Sequence, residues 1–183
     1  MTAKELLFLF LLFLVVFLVL WVFFSLFATF FRKNTMAMYV PSFDRHIRLM
    51  KQLKLVPGKT LVDLWCGDGK AMRFFWKEFG VQCDGYEIQR FPYLYGKILN
   101  KIFGYSNLKL LKNNFLLEDI HSYDYIYVYL LPEQMAQIES RIFKEMKSDA
   151  IIISNSFQFA KHLPFERIKN KQGKPSIFLY TKE

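Results

Sequence analysis

The chain has 183 residues, 53% apolar and 19% aromatic, and a formal net charge of +9. Its two cysteines, Cys66 and Cys83, stand at neither disulfide nor metal spacing, which argues against a disulfide-stapled scaffold and against a metal site. They read as two reduced thiols in a reducing compartment.

The apolar excess sits at the start. From Leu6 to Phe31 there is no charged residue, and the only hydroxyls are Ser25 and Thr29. A helix of that length spans roughly 39 Å, more than the roughly 30 Å of hydrocarbon in a bilayer. A signal peptide would carry an apolar run of about 7–15 residues and then a small-residue cleavage site. Here the run is longer and ends in Phe30-Phe31-Arg32-Lys33. Residues 1–31 are therefore expected to be an uncleaved anchor, held in the lipid bilayer through residues 6–31. Lys4 alone precedes the span, whereas Arg32, Lys33, Arg45, Arg48 and Lys51 follow it. The positive-inside rule then places the remainder on the cytoplasmic side of a single-pass membrane protein. Lys4 and Glu5 cancel, so the whole +9 lies on that remainder. An anionic membrane surface attracts such cations at about 1 kcal/mol each. Nucleic acid would suit them equally, but tethering makes lipid the simpler partner.

Residues 32–41 read as a linker, and 42–183 as one compact domain. Ser42 can cap a helix that carries Phe43, Ile47, Met50 and Leu53 on one face. Pro57-Gly58-Lys59 turns the chain into a strand at Thr60–Leu64. A helix follows from Gly69 to Phe79, then a strand from Val81 to Glu87. Next come a helix at Pro92–Phe103, a strand at Leu108–Lys112 and a strand at Tyr125–Leu131. A helix over Glu133–Met146 and a strand over Ala150–Ser154 complete the alternation. Phe165–Lys169 and Ser176–Thr181, joined through Gln172-Gly173, read as an antiparallel hairpin. The pattern predicts a Rossmann-like α/β domain, with a mostly parallel seven-stranded sheet and an antiparallel C-terminal hairpin.

The chemistry concentrates at Asp63-Leu64-Trp65-Cys66-Gly67-Asp68-Gly69. A strand ending on an acid, then a glycine turn, then a helix is how open α/β sheets cradle a nucleotide. A dinucleotide fingerprint would need a third glycine, and Met72 stands there instead. A second acid, Glu87, closes the next strand, where its two oxygens can accept both hydroxyls of a ribose. Asp63 can hold the turn's amides or a cationic ammonium group.

These residues resemble the class I S-adenosylmethionine-dependent methyltransferases. A narrower set is similar to the small membrane-anchored protein-lysine methyltransferases that modify the ATP synthase c subunit and the adenine nucleotide translocase. It comprises Tyr39-Val40-Pro41-Ser42, Val62-Asp63-Leu64, Cys66-Gly67-Asp68-Gly69-Lys70, Gly85-Tyr86-Glu87-Ile88 and Tyr129-Leu130-Leu131-Pro132-Glu133. The resemblance implies S-adenosylmethionine as cofactor and a lysine of a membrane-associated protein as methyl acceptor. It implies that Asp63, Cys66, Gly67, Asp68 and Gly69 cradle the methionine end. Glu87 would hold the ribose, Ile88 and Asn114 the adenine, and Tyr39 and Ser42 an entry loop. Tyr127, Tyr129, Pro132 and Glu133, at the end of the fourth strand, are the candidates for the acceptor side, with Tyr129, Pro132 and Glu133 as the catalytic set.

The first motif of the methyltransferases it resembles runs Asp/Glu-x-Gly-x-Gly-x-Gly, and Trp65 stands at its first glycine. Its indole must swing aside or fill the methionine subsite. Two other readings stay open: a methyltransferase fold that serves as a scaffold, and a methyltransferase for a small molecule, lipid or RNA.

Overall fold

The computed structural model describes residues 3–33, 44–105 and 107–182. Tyr39 and Ser42, with its cap, and all of the expected linker but Arg32 and Lys33, lie outside them; those two belong to the first helix. The chain divides into two units, 1–38 and 39–183.

The first unit is helix α1 (Ala3–Lys33). Its Lys4–Ser25 stretch is long and apolar enough to cross a membrane, and none of it is buried.

The second unit runs α2 (Asp44–Met50), β1 (Thr60–Asp63), α3 (Lys70–Phe79), β2 (Gln82–Tyr86), α4 (Arg90–Ile102) and β3 (Lys109–Leu111). A 3₁₀ turn (Phe115–Leu117), β4 (Tyr125–Val128), α5 (Pro132–Glu145), β5 (Ile151–Asn155), β6 (Glu166–Lys169) and β7 (Pro175–Thr181) follow. Seven strands form one sheet in the order β3-β2-β1-β4-β5-β7-β6. The first five are parallel, and β7 runs antiparallel to both β5 and β6. The expected fold is the observed one. The 3₁₀ turn was not anticipated, and most elements begin or end a residue or two from their expected bounds.

Alternation along the central strands divides the core in two. Val62, Ile126, Val128 and Ile152 pack on one face with Met135, Ile138 and Ile142 of α5. Leu61, Tyr125, Tyr127 and Ile153 pack on the other with Met50 of α2 and Ala71, Met72 and Phe75 of α3. A sheet covered on both faces leaves its carboxyl edge as the open rim. The order reverses at β1, with β2 on one side and β4 on the other, so a crevice forms beyond Asp63.

Candidate active site

The crevice begins where β1 stops. Leu64 N–H donates to the Tyr127 carbonyl at 3.2 Å, and Cys66 N–H donates to the Tyr86 carbonyl at 3.0 Å, so the turn is tied to both neighbouring strands. Gly67 and Gly69 take left-handed φ angles of 57° and 78°. An L side chain is strained there, which accounts for glycine at both positions. Space also forbids side chains nearby. A methyl on Gly85 would overlap Met72 Sδ and come within 2.7 Å of Cys66 Cβ. One on Gly96 would overlap the Asp68 carbonyl oxygen. Strand β2 and helix α4 thus both touch the turn.

Asp63 is 2% exposed, and its Oδ1 accepts from Trp65 N–H at 3.2 Å. Burial pushes its carboxyl up to about 8, opposed by the Trp65 amide and reinforced by the charges of Glu87 and Asp68. Glu87 is 1% exposed and latches β2 to the turn. Its Oε2 accepts from Gly67 N–H at 2.9 Å and its Oε1 from Gln89 N–H at 2.6 Å. Burial raises this carboxyl too, against the pull of those amides. Burial raises both acids, and a cation entering the crevice would favour their charged forms.

Asp68 and Cys66 have structural work. Asp68 Oδ1 accepts from Lys70 N–H at 3.2 Å, and its Oδ2 pairs with Arg73 Nη2 at 2.8 Å. Arg73 Nη1 reaches the Asp68 carbonyl at 2.6 Å and Asn100 Oδ1 at 3.0 Å, clamping α3 and α4 to the turn. Burial, with the charges of Asp63 and Glu87, drives the Cys66 thiol well above its ordinary range, so it stays protonated.

Beyond Glu87 lies a recess of about 150 Å³ bounded by Trp65, Tyr86, Ile88, Asn114 and Phe115, too narrow to admit a water-sized sphere. The Trp65 indole swings aside onto Phe115, edge to face with ring centres 5.8 Å apart. It forms a wall of this recess. Trp65 Nε1 is buried without a hydrogen-bond partner. Ile88 is 50% exposed at the rim. Asn114 turns its Oδ1 to Leu116 N–H at 3.1 Å, capping the 3₁₀ turn.

The other half of the crevice is at the ends of β4 and β5. Tyr129 is half-buried, its ring edge to face with His46 of α2 at 5.9 Å. His46 Nδ1 lies 3.4 Å from Ser156 Oγ, which donates to Asn155 Oδ1 at 3.0 Å. Asn155 Nδ2 donates to Tyr127 Oη at 2.9 Å. Ser156, at φ 71°, is the one non-glycine residue with positive φ among the described residues. Such strain of roughly 1–3 kcal/mol persists where the surroundings enforce it, commonly at ligand sites. Tyr127 itself is core, 1% exposed and packed on Phe75. Pro132 and Glu133 are exposed on the first turn of α5. No role was expected for His46, Asn155 or Ser156. A Ser-Asn-Ser run closing the apolar β5 was a signal for the last two. His46, 110 residues from Ser156, carried none.

Residues 63–166, more than half of the chain, match the model of the ANTKMT methyltransferase domain. The chain belongs to that family. The domain is similar to a protein-lysine N-methyltransferase of Saccharolobus islandicus, 28% identical over 150 residues, covering 78% of this chain and 92% of the relative. Among solved structures it is similar to an RNA methyltransferase from Salinibacter ruber in complex with S-adenosyl-L-homocysteine. There the TM-score is 0.71 at 19% identity, covering 78% of this chain and 94% of that one. A putative rRNA methylase from Clostridium thermocellum aligns at TM-score 0.56 and 15% identity, over 79% and 97% of the two chains. At those identities the two structures establish the methyltransferase fold and carry no substrate. The cradle of this methyltransferase domain suits S-adenosylmethionine. It offers two acids to a cation and a diol, glycines where the turn must be approached closely, and one unclaimed buried donor, Trp65 Nε1.

Proposed function

We propose that the chain is a membrane-anchored, S-adenosylmethionine-dependent methyltransferase acting on a lysine of a membrane-associated protein. The observation that carries this is the buried Asp63–Glu87 pair on either side of the glycine turn, in a chain of this family. The lysine relative supports the acceptor. The apolar Lys4–Ser25 helix supports the anchor, with 1–31 as the anchor segment held in the bilayer through residues 6–31, 32–41 as linker and 42–183 on the cytoplasmic side.

S-adenosylmethionine supplies a methyl group already activated on a sulfonium. Asp63 and the Cys66-Gly67-Asp68-Gly69 turn would hold its methionine end, with Asp68 acting through the Arg73 clamp. The amides of Gly67, Gln89 and Ile88 hold the Glu87 carboxylate, and its remaining lone pairs would accept the ribose. Ile88 and Trp65 would flank the adenine, and Asn114 would face it with its amide nitrogen. Free lysine holds its proton to a pKa of about 10.4, so the acceptor side must desolvate the ammonium and take that proton. Tyr129 offers a ring face, and His46 is the imidazole beside it, a side chain of the type that accepts a proton in such chemistry. Ser156 and Asn155 orient His46 and close the polar rim. Glu133, at the mouth, would attract the incoming cation, and Pro132 fixes the start of α5.

Incubation of the full chain with tritiated S-adenosylmethionine and membrane protein, lipid and RNA fractions tests the reading. Label that stays with protein through ribonuclease and lipid extraction, and migrates as methyl-lysine after hydrolysis, is expected. Label confined to lipid or RNA overturns the lysine reading.

A further inference from the structure

Helix α4 turns an apolar face outward. Phe91, Leu94, Tyr95, Ile98 and Ile102 are 62, 46, 48, 56 and 67% exposed. At about 100° per residue, these five fall within an arc of about 100°. Phe91 and Tyr95 stack, their rings 6.4 Å apart. The opposite side belongs to the fold: Pro92, Gly96 and Asn100 are buried. Arg90, Lys97 and Lys101 are exposed and form one row along an edge of the stripe. A water-facing surface seldom keeps so many large apolar side chains contiguous, so the stripe marks an interaction face.

Charge decides the occupant. An apolar stripe bordered by cations is how a helix lies in the plane of an anionic bilayer, rings and aliphatic chains below, ammonium groups among the headgroups. A second copy of this chain would bring its own +9 against the first. The same chain also carries a helix able to cross a membrane.

We infer that α4 is an interfacial membrane contact, distinct from α1, that sinks Phe91, Leu94, Tyr95, Ile98 and Ile102 about 5–10 Å into the headgroup boundary. Arg90, Lys97 and Lys101 meet the anionic headgroups. Because Gly96 abuts Asp68 on the inner face, lipid lies on one side of α4 and the cofactor cradle on the other. The docked helix holds the crevice at a fixed height over the bilayer, favouring lysines near headgroup level. That last consequence rests on the lysine reading; the docking does not.

The test uses the full chain with Ile98→Cys or, as control, Lys171→Cys, carrying an environment-sensitive nitrobenzoxadiazole label. Cys66 and Cys83, 6% and 0% exposed, are poor competitors for the label. The chain is reconstituted into protein-free phosphatidylcholine vesicles with and without phosphatidylglycerol. At position 98 the label should be quenched by doxyl groups near the headgroup end of the acyl chains and shielded several-fold from aqueous iodide. At position 171 it should stay open to iodide. Lys97→Gln or Lys101→Gln should each weaken docking on anionic vesicles about fivefold. A chain that floats with the vesicles while position 98 is as open to iodide as position 171 overturns the inference and leaves the anchor standing. Shielding seen only after a substrate membrane protein is added also overturns it, making α4 a protein-docking face. A chain that does not float overturns both membrane contacts.

Discussion

At the residue scale, Asp63 sets a pH dependence of defined sign. Its carboxyl is raised by burial to about 8, against about 3.9 in an unfolded chain. The folded state therefore keeps a proton that the unfolded state has lost. The stability linked to Asp63 is fully present below about pH 4 and is lost as pH rises toward about 8. Asp63→Asn keeps an acceptor for Trp65 N–H and removes the charge. The variant should melt above the wild type at pH 8, with the difference vanishing near pH 4, measured by differential scanning calorimetry without cofactor. A cationic ligand needs the charged form, so S-adenosylmethionine affinity should climb about tenfold per pH unit from 6 to 8 and then level. A flat wild-type profile in titration calorimetry would contradict this role. Trp65 gives a second test. The recess it bounds with Phe115 is too narrow for water, so the indole must move when adenine enters. S-adenosylhomocysteine should change the tryptophan emission of the wild type and leave Trp65→Phe unchanged; a persisting change would assign the signal elsewhere.

At the scale of elements, the crevice exists because helices and strands are pressed onto one turn. Gly96→Ala would push α4 off the Asp68 backbone and Leu110. Such overpacking costs about 1–3 kcal/mol, so the urea midpoint should fall and cofactor affinity with it. An unchanged midpoint would mean that α4 yields freely. On the far side, Glu139 of α5 is buried and accepts from the amides of Ala160, Lys161 and His162 and from His162 Nδ1. Burial raises its carboxyl, but the His162 contact and the Lys161 and Ala160 amides outweigh that and hold it below its ordinary range. Its contribution is present above about pH 4.5 and is lost as pH falls through the lower folded value. Glu139→Ala should cost about 3 kcal/mol in urea denaturation by leaving those amides unpaired, loosening the connection that follows Ser156.

At the scale of the molecule, the alternation of strands and helices was legible because each element is written locally, by period and by glycine or proline stops. The pairing of Asp63 with Glu87 was legible too, since both end adjacent strands. What escaped depends on contacts between distant segments. The sequence left Trp65 either to swing aside or to fill the methionine subsite, and only packing brings it to Phe115. The sequence offered Asp68 as a cofactor contact, and packing adds Arg73, which ties it to Asn100. His46 meets Tyr129 only because α2 covers the face of the sheet on which Tyr125 and Tyr127 lie. The central claim is that the turn from Asp63 to Gly69, closed by Glu87, holds S-adenosylmethionine. Titration calorimetry of the detergent-solubilised full chain with S-adenosylhomocysteine tests it most directly. One site per chain is expected, with the heat abolished in Glu87→Ala; a wild-type chain that gives no binding heat and no thermal stabilisation would contradict the claim.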